Sequence, residues 1–146
     1  MFDITHELRV TALPDAVFAA ITTAAGLGSW LATDADAQAV ADSSVSFTFD
    51  DGTGLVEMAV DLLEAPVLAH WQCVGGPNEW VGTSIAWRIE GVDADDDGTL
   101  DGVSIVRFWH GNWEYEDGLL PSTSFEWAMR LDRLRRYLES GTGSPA

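Results

Sequence analysis

The sequence predicts an α+β fold: one strand, two short helices, about six antiparallel strands in a meander, and a long closing helix. Three observations carry that reading. Apolar residues alternate in residues 2–11 and in most segments between about 36 and 110, the period of a half-buried strand. They change to helical spacing in 14–24 and 123–138. Short phrases rich in Gly, Asp, Asn and Pro separate the alternating segments, close enough together for consecutive strands to pair antiparallel.

In order along the chain, Phe2, Ile4, Leu8 and Val10 occupy alternate positions of an opening strand. In "LPDAVFAAITTAAG", Pro14 suits a first helical turn and Asp15 the positive end of a helix dipole, with Val17, Ile21 and Ala24 on one face. Gly26 and Gly28 interrupt it, and "GLGSWL" reads as a short second helical turn. "SVSFTF" alternates, "DDGTG" turns, and "LVEMAVDLL" puts Val56, Met58, Val60 and Leu62 on one side. "VLAHWQC" follows Pro66, "GGPN" turns, and "TSIAWRIE" groups Ile85, Trp87 and Ile89. "GVSIVRFWH" is the last strand, with Val106, Phe108 and His110 on one side. In the closing helix Thr123 and Glu126 match a capping box, and Trp127, Leu131, Leu134 and Leu138 recur at helical spacing. Arg130, Arg133, Arg135 and Arg136 suit its negative end, and Gly141 stops it. One domain is expected over 1–140, with 141–146 as a flexible tail.

The stretch "VDADDDGTLDG" opens like an EF-hand calcium loop, with Asp93, Asp95, Asp97 and Gly98 at the corresponding spacing. An EF-hand loop joins two helices and ends on a glutamate that holds calcium with both oxygens. Here two strands flank the stretch, and the twelfth position from Asp93 is Ser104. Asp and Gly are also what a hairpin turn demands, so the stretch reads as an acidic turn.

Composition narrows the function. The formal charge is −17, from 24 acidic and 7 basic residues. All seven basic residues are arginines, which leaves no phosphate-loop or Schiff-base lysine. Such a field repels phosphate backbones and anionic lipid, so neither nucleic acid nor membrane is expected as a partner. The single cysteine, Cys73, forms no internal disulfide and suits a reducing compartment. "MFDITHELRV" does not read as a signal peptide, and no apolar run is long enough to span a membrane, so a cytoplasmic location is expected.

Four phrases, in order along nearly the whole chain, resemble one family. In the first, Pro14, Val17, Phe18, Gly26, Leu27 and Trp30 follow Pro-x-x-Val-(Phe/Trp) and Gly-Leu-x-x-Trp. The second is "LLEAPVLAHW", with Pro66, Leu68 and Trp71, and the third is "VRFWHGNW", with His110 and Trp113. The fourth is Trp127 with Leu131 and Leu134. The chain resembles the SRPBCC superfamily, the START-like helix-grip fold, and within it the branch named after the activator of the heat-shock protein ATPase. That resemblance implies an antiparallel sheet curled around the C-terminal helix with an elongated cavity between them. It also implies one of three functions: binding of apolar compounds, cyclase or dehydratase chemistry, or partnership with a chaperone.

Among the candidate residues, His110 at a strand end could serve as acid or base, or be satisfied by the backbone around it. A zinc site at His110 and Glu114 lacks a third ligand, Cys73 has no flanking base, and no phosphate-cradling motif is present. No metal or cofactor is expected. Seven tryptophans are many for this length, and inward rings would line a cavity as well as fill a core. The expected function is binding of a small apolar or aromatic molecule, walled by Trp30, Trp71, Trp87, Phe108, His110, Trp113, Phe125 and Met129. The alternatives are an enzyme using His110 as acid–base, or a chaperone module. A homodimer or a chaperone partner remains open.

Overall fold

A computed structural model describes residues 1–49 and 52–140. Asp50 and Asp51 of the expected "DDGTG" turn, Gly141 and the rest of the expected tail lie outside the described residues. The described elements run β1 (Phe2–Val10), α1 (Pro14–Thr22), α2 (Ala24–Trp30), β2 (Asp34–Ala37), β3 (Ser44–Phe49), β4 (Gly54–Glu64), β5 (Leu68–Gly75), β6 (Ser84–Gly91), β7 (Ser104–Trp113) and α3 (Leu120–Ser140). The strands form one sheet in the order β1-β7-β6-β5-β4-β3-β2, every neighbour antiparallel. β2 to β7 are thus a meander, and β1 closes the sheet against its last strand. The curved sheet wraps α3, which makes this an α+β helix-grip fold.

Alternation decides which side chains meet the helix. Ile85, Trp87 and Ile89 of β6 and Val106, Phe108 and His110 of β7 all point inward and are buried. In β4 the register shifts between Val60 and Leu62. An extra residue at such a bulge reverses the side that follows it. Leu62, expected on the inner side, is consequently 41% exposed, while Val56, Met58 and Val60 are buried. α1 stops at Thr22, so Ala24 belongs to α2, which Thr23 caps by accepting from the Gly26 amide at 3.0 Å. Gly26 lets the two short helices touch: a Cβ there would lie 2.5 Å from the Ala19 carbonyl oxygen and 2.7 Å from the Ala20 Cα.

α3 begins earlier than the capping-box pattern suggests. Its first turn is at Leu120, the Thr123 amide already donates to the Leu119 carbonyl, and Thr123 itself is buried inside the helix. The cap comes from another part of the chain: Glu79, in the β5–β6 connection, accepts from the Leu119 amide at 2.9 Å. A carboxylate at that end also meets the positive pole of the helix dipole.

The acidic stretch is the β6–β7 turn. Asp93 accepts from the amides of Asp97 and Gly98, Asp97 from Thr99, and Asp101 from Ala94. Asp96 and Gly98 both hold positive φ, 52° and 81°. Its carboxylates organise the loop backbone. No described helix is long and apolar enough to cross a membrane.

Candidate functional site

Six of the eight expected wall residues come together under α3. Trp30, Trp71, Trp87, Phe108, His110 and Trp113 are each at most 1% exposed. Trp87 lies at the centre of one half: its ring centroid is 4.8 Å from Phe108, 5.8 Å from Trp71, 6.1 Å from Trp30 and 6.3 Å from Trp127. Most of these contacts are edge-on, the arrangement favoured by ring quadrupoles. His110 centres the other half, 4.7 Å from Trp113, 4.8 Å from Trp80 and 6.2 Å from Trp127.

Phe125 and Met129 are not in this cluster. They are 67% and 43% exposed, on the outer face of α3. The buried face of the helix is set by Thr123, Trp127, Arg130, Leu131 and Leu134. Each residue advances about 100°, so a residue two places from Trp127 points roughly 160° away from it. Expecting both residues as inner walls was therefore incorrect.

Hydrogen bonding fixes the state of His110. The indole Nε1–H of Trp127 donates to His110 Nδ1 at 3.1 Å. An indole can only donate, so the imidazole proton resides on Nε2, which donates to Thr83 Oγ1 at 2.8 Å. The Thr83 hydroxyl passes its own proton to the Trp80 carbonyl at 2.5 Å. Burial pushes the His110 pKa down to about 3, so the ring is neutral at physiological pH. With both nitrogens engaged, the ring has neither a free lone pair nor a free proton for acid–base work. Glu114, the other half of the zinc pattern, is exposed at the end of the strand.

Three members of the cluster were not singled out from sequence. Trp80 lies within the turn between β5 and β6, where no strand or helix period marks an inward position. Thr83 is recognisable only by its partner 27 residues away. Arg130, expected to serve the helix end, is 1% exposed and holds its guanidinium 3.6 Å above the Phe49 ring, with Glu126 at 3.5 Å. The signal that could have found it is its spacing, three residues after Trp127 and four before Leu134, on the face read as inner. Cys73 is also buried, and burial raises its pKa to about 11.

These rings pack against one another between the sheet and α3. Four pockets on the described surface are open depressions, and none is lined by Trp30, Trp71, Trp87, His110 or Trp113. The largest, about 820 Å³, lies beside the start of α3 between Phe2, Tyr115, Leu120 and Ser124. No cluster of His, Cys, Asp and Glu among the described residues is arranged to hold a metal.

A curved antiparallel sheet gripping a C-terminal helix, with an aromatic interior between them, defines a helix-grip protein of the SRPBCC-like class. Solved structures agree. The chain is similar to the Aha1 dimer from Colwellia psychrerythraea, with 30% identity, a TM-score of 0.82, and 98% of this chain and 100% of that one covered. It belongs to one family with that protein. It shares its fold with DynU16 of the dynemicin biosynthetic locus (20% identity, TM-score 0.77, 99% of this chain and 49% of that one). CalU16 from Micromonospora echinospora has the same fold (14%, 0.73, 95% and 77%). No protein-family model matches the chain, and none of the curated proteins does.

Proposed function

We propose that the protein binds a small apolar or aromatic molecule between the sheet and α3, at the rings around Trp87. One observation supports this above the others: Trp87 Nε1 is buried and has no hydrogen-bond partner among the described residues. The indoles of Trp30, Trp113 and Trp127 each donate to a named acceptor. An unpaired buried donor costs about 1–3 kcal/mol. A ligand bringing a carbonyl or ether oxygen to Trp87 would recover that, while Trp30, Trp71, Phe108 and Trp127 enclose its apolar body. Entry requires α3 to shift against the sheet, since Trp30, Trp71, Trp87, Phe108 and Trp127 are each at most 1% exposed. Burying about 250 Å² of apolar ligand surface would contribute about 6 kcal/mol before the cost of that opening, which by itself corresponds to tens of micromolar or weaker.

The test is titration of tryptophan emission with 2-acetylnaphthalene and with naphthalene. The wild type is expected to respond saturably and to prefer the ketone, whereas Trp87→Phe binds both alike. Emission unchanged by either compound at their solubility limits would sink the proposal.

A second reading, self-association, is favoured by the family relationship to a protein solved as a dimer.

A further inference from the structure

The outward face of β1, β7 and β6 differs from the rest of this surface in charge and in composition. Strand register lines its side chains up in rows. One row runs Thr5, Trp109, Ala86, His70, Leu62, and the next runs Glu7, Arg107, Arg88, Leu68. Arg9 and Glu90 follow, either side of Ile105. Over β1, β7 and β6 this face gathers Arg9, Arg88 and Arg107 against Asp3, Glu7 and Glu90, a local charge of 3 − 3 = 0 on a chain of −17.

Its centre is aromatic. Trp109 is half-buried, whereas the other six tryptophans are at most 1% exposed. The His70 ring stacks on it with centroids 6.4 Å apart and planes 24° apart, and Asp61 holds His70 at 2.6 Å. Small neighbours, Thr5 and Ala86, leave a shallow depression of about 360 Å³ beside the indole. Arg107 is held by Glu7 and Glu90, but Arg88 has no partner among the described residues.

We propose that this face is where a second copy of the chain docks, sheet against sheet about a two-fold axis near Trp109. The proposal rests on the self-association reading and assigns it a surface. Two copies of a chain of this charge repel wherever acidic surfaces meet, and this face is where the repulsion is locally absent. A two-fold contact sets the same patch on itself, which suits alternating Arg and Glu. A partly exposed tryptophan encircled by polar groups has the make-up of an interface anchor. The rows span roughly 20 by 15 Å, below the standard interface, so the dimer is weak, with dissociation in the micromolar range.

Sedimentation velocity from about 5 to 500 μM, at low and at molar salt, measures it. A reversible dimer is expected, tighter at high salt because screening removes the residual repulsion. Trp109→Glu should weaken it at least about 30-fold, with circular dichroism and melting unchanged. Arg88→Glu should weaken it too, and Phe125→Glu on the outer face of α3 should not. Were Trp109→Glu to unfold the chain, Thr5→Arg, which blocks the depression beside the indole, replaces it. A chain monomeric at 500 μM in molar salt overturns self-association itself. A dimer indifferent to Trp109, Thr5 and Arg88 but broken by Phe125→Glu overturns only the choice of face.

Discussion

His110 couples the aromatic interior to pH. In the folded chain its pKa is about 3, held down by burial, against 6.5 when exposed. A depressed folded pKa means that the unfolded chain takes up the proton first as pH falls. The stabilisation is therefore fully present above about pH 6.5 and is lost as pH drops from there towards 3. At about 1.4 kcal/mol per unit, the linkage removes roughly 2 kcal/mol between pH 7 and pH 5 and roughly 3 by pH 4. For a domain of this size, 2 kcal/mol lowers the melting temperature by about 4–8 °C. Urea titrations at pH 7, 6 and 5 should show the wild type losing about 2 kcal/mol more than His110→Gln, which has no titrating ring. In parallel, ring-nitrogen chemical shifts should report the Nε2–H tautomer down to pH 5. Equal losses in the two proteins, or imidazolium shifts at pH 6, would refute the argument that burial holds this ring neutral.

Three further outcomes are expected. The charge of −17 repels itself, so melting temperature should rise by several degrees between 10 mM and 1 M NaCl; a flat curve would remove self-repulsion as a force in this fold. Gly26→Ala forces a methyl into backbone of α1 and should cost about 2–3 kcal/mol in chemical denaturation, whereas Gly28→Ala, with open space around it, should be neutral or stabilising. Cys73, buried with a pKa of about 11, should resist iodoacetamide in the native state and react on unfolding; rapid native labelling would contradict its placement.

Much of the fold was legible because alternation and helical spacing report local geometry. The opening strand, β3 to β7, the two short helices and the inward rows of β6 and β7 follow from period alone, whereas β2 at Asp34–Ala37 was not read. Departures came where the cause is distant or adds one residue. The bulge after Val60 turns Leu62 outward, and nothing in "LVEMAVDLL" marks it. The α3 cap is Glu79, forty residues upstream of Leu119, so a local search settled on Thr123 and Glu126. For the candidate site, strand parity was sufficient to bring Trp87, Phe108 and His110 together. The helical residues Phe125 and Met129 were expected as walls, although the angle per residue sends them to the side opposite Trp127. Trp80 and Thr83 come from a loop, which carries no period to read.

The pairing of β1 with β7 has a consequence for how the chain is made. Ile4 lies opposite His110, so the first strand waits for the last. At about 5–20 residues per second of synthesis, the roughly hundred intervening residues take about 5–20 s. The meander from β2 onward can assemble as it emerges from the ribosome, since each hairpin is local. β1 cannot, and it carries Ile4, Leu8 and Val10 uncovered through that interval. Aspartates and glutamates spread along the emerging chain keep that waiting strand dispersed.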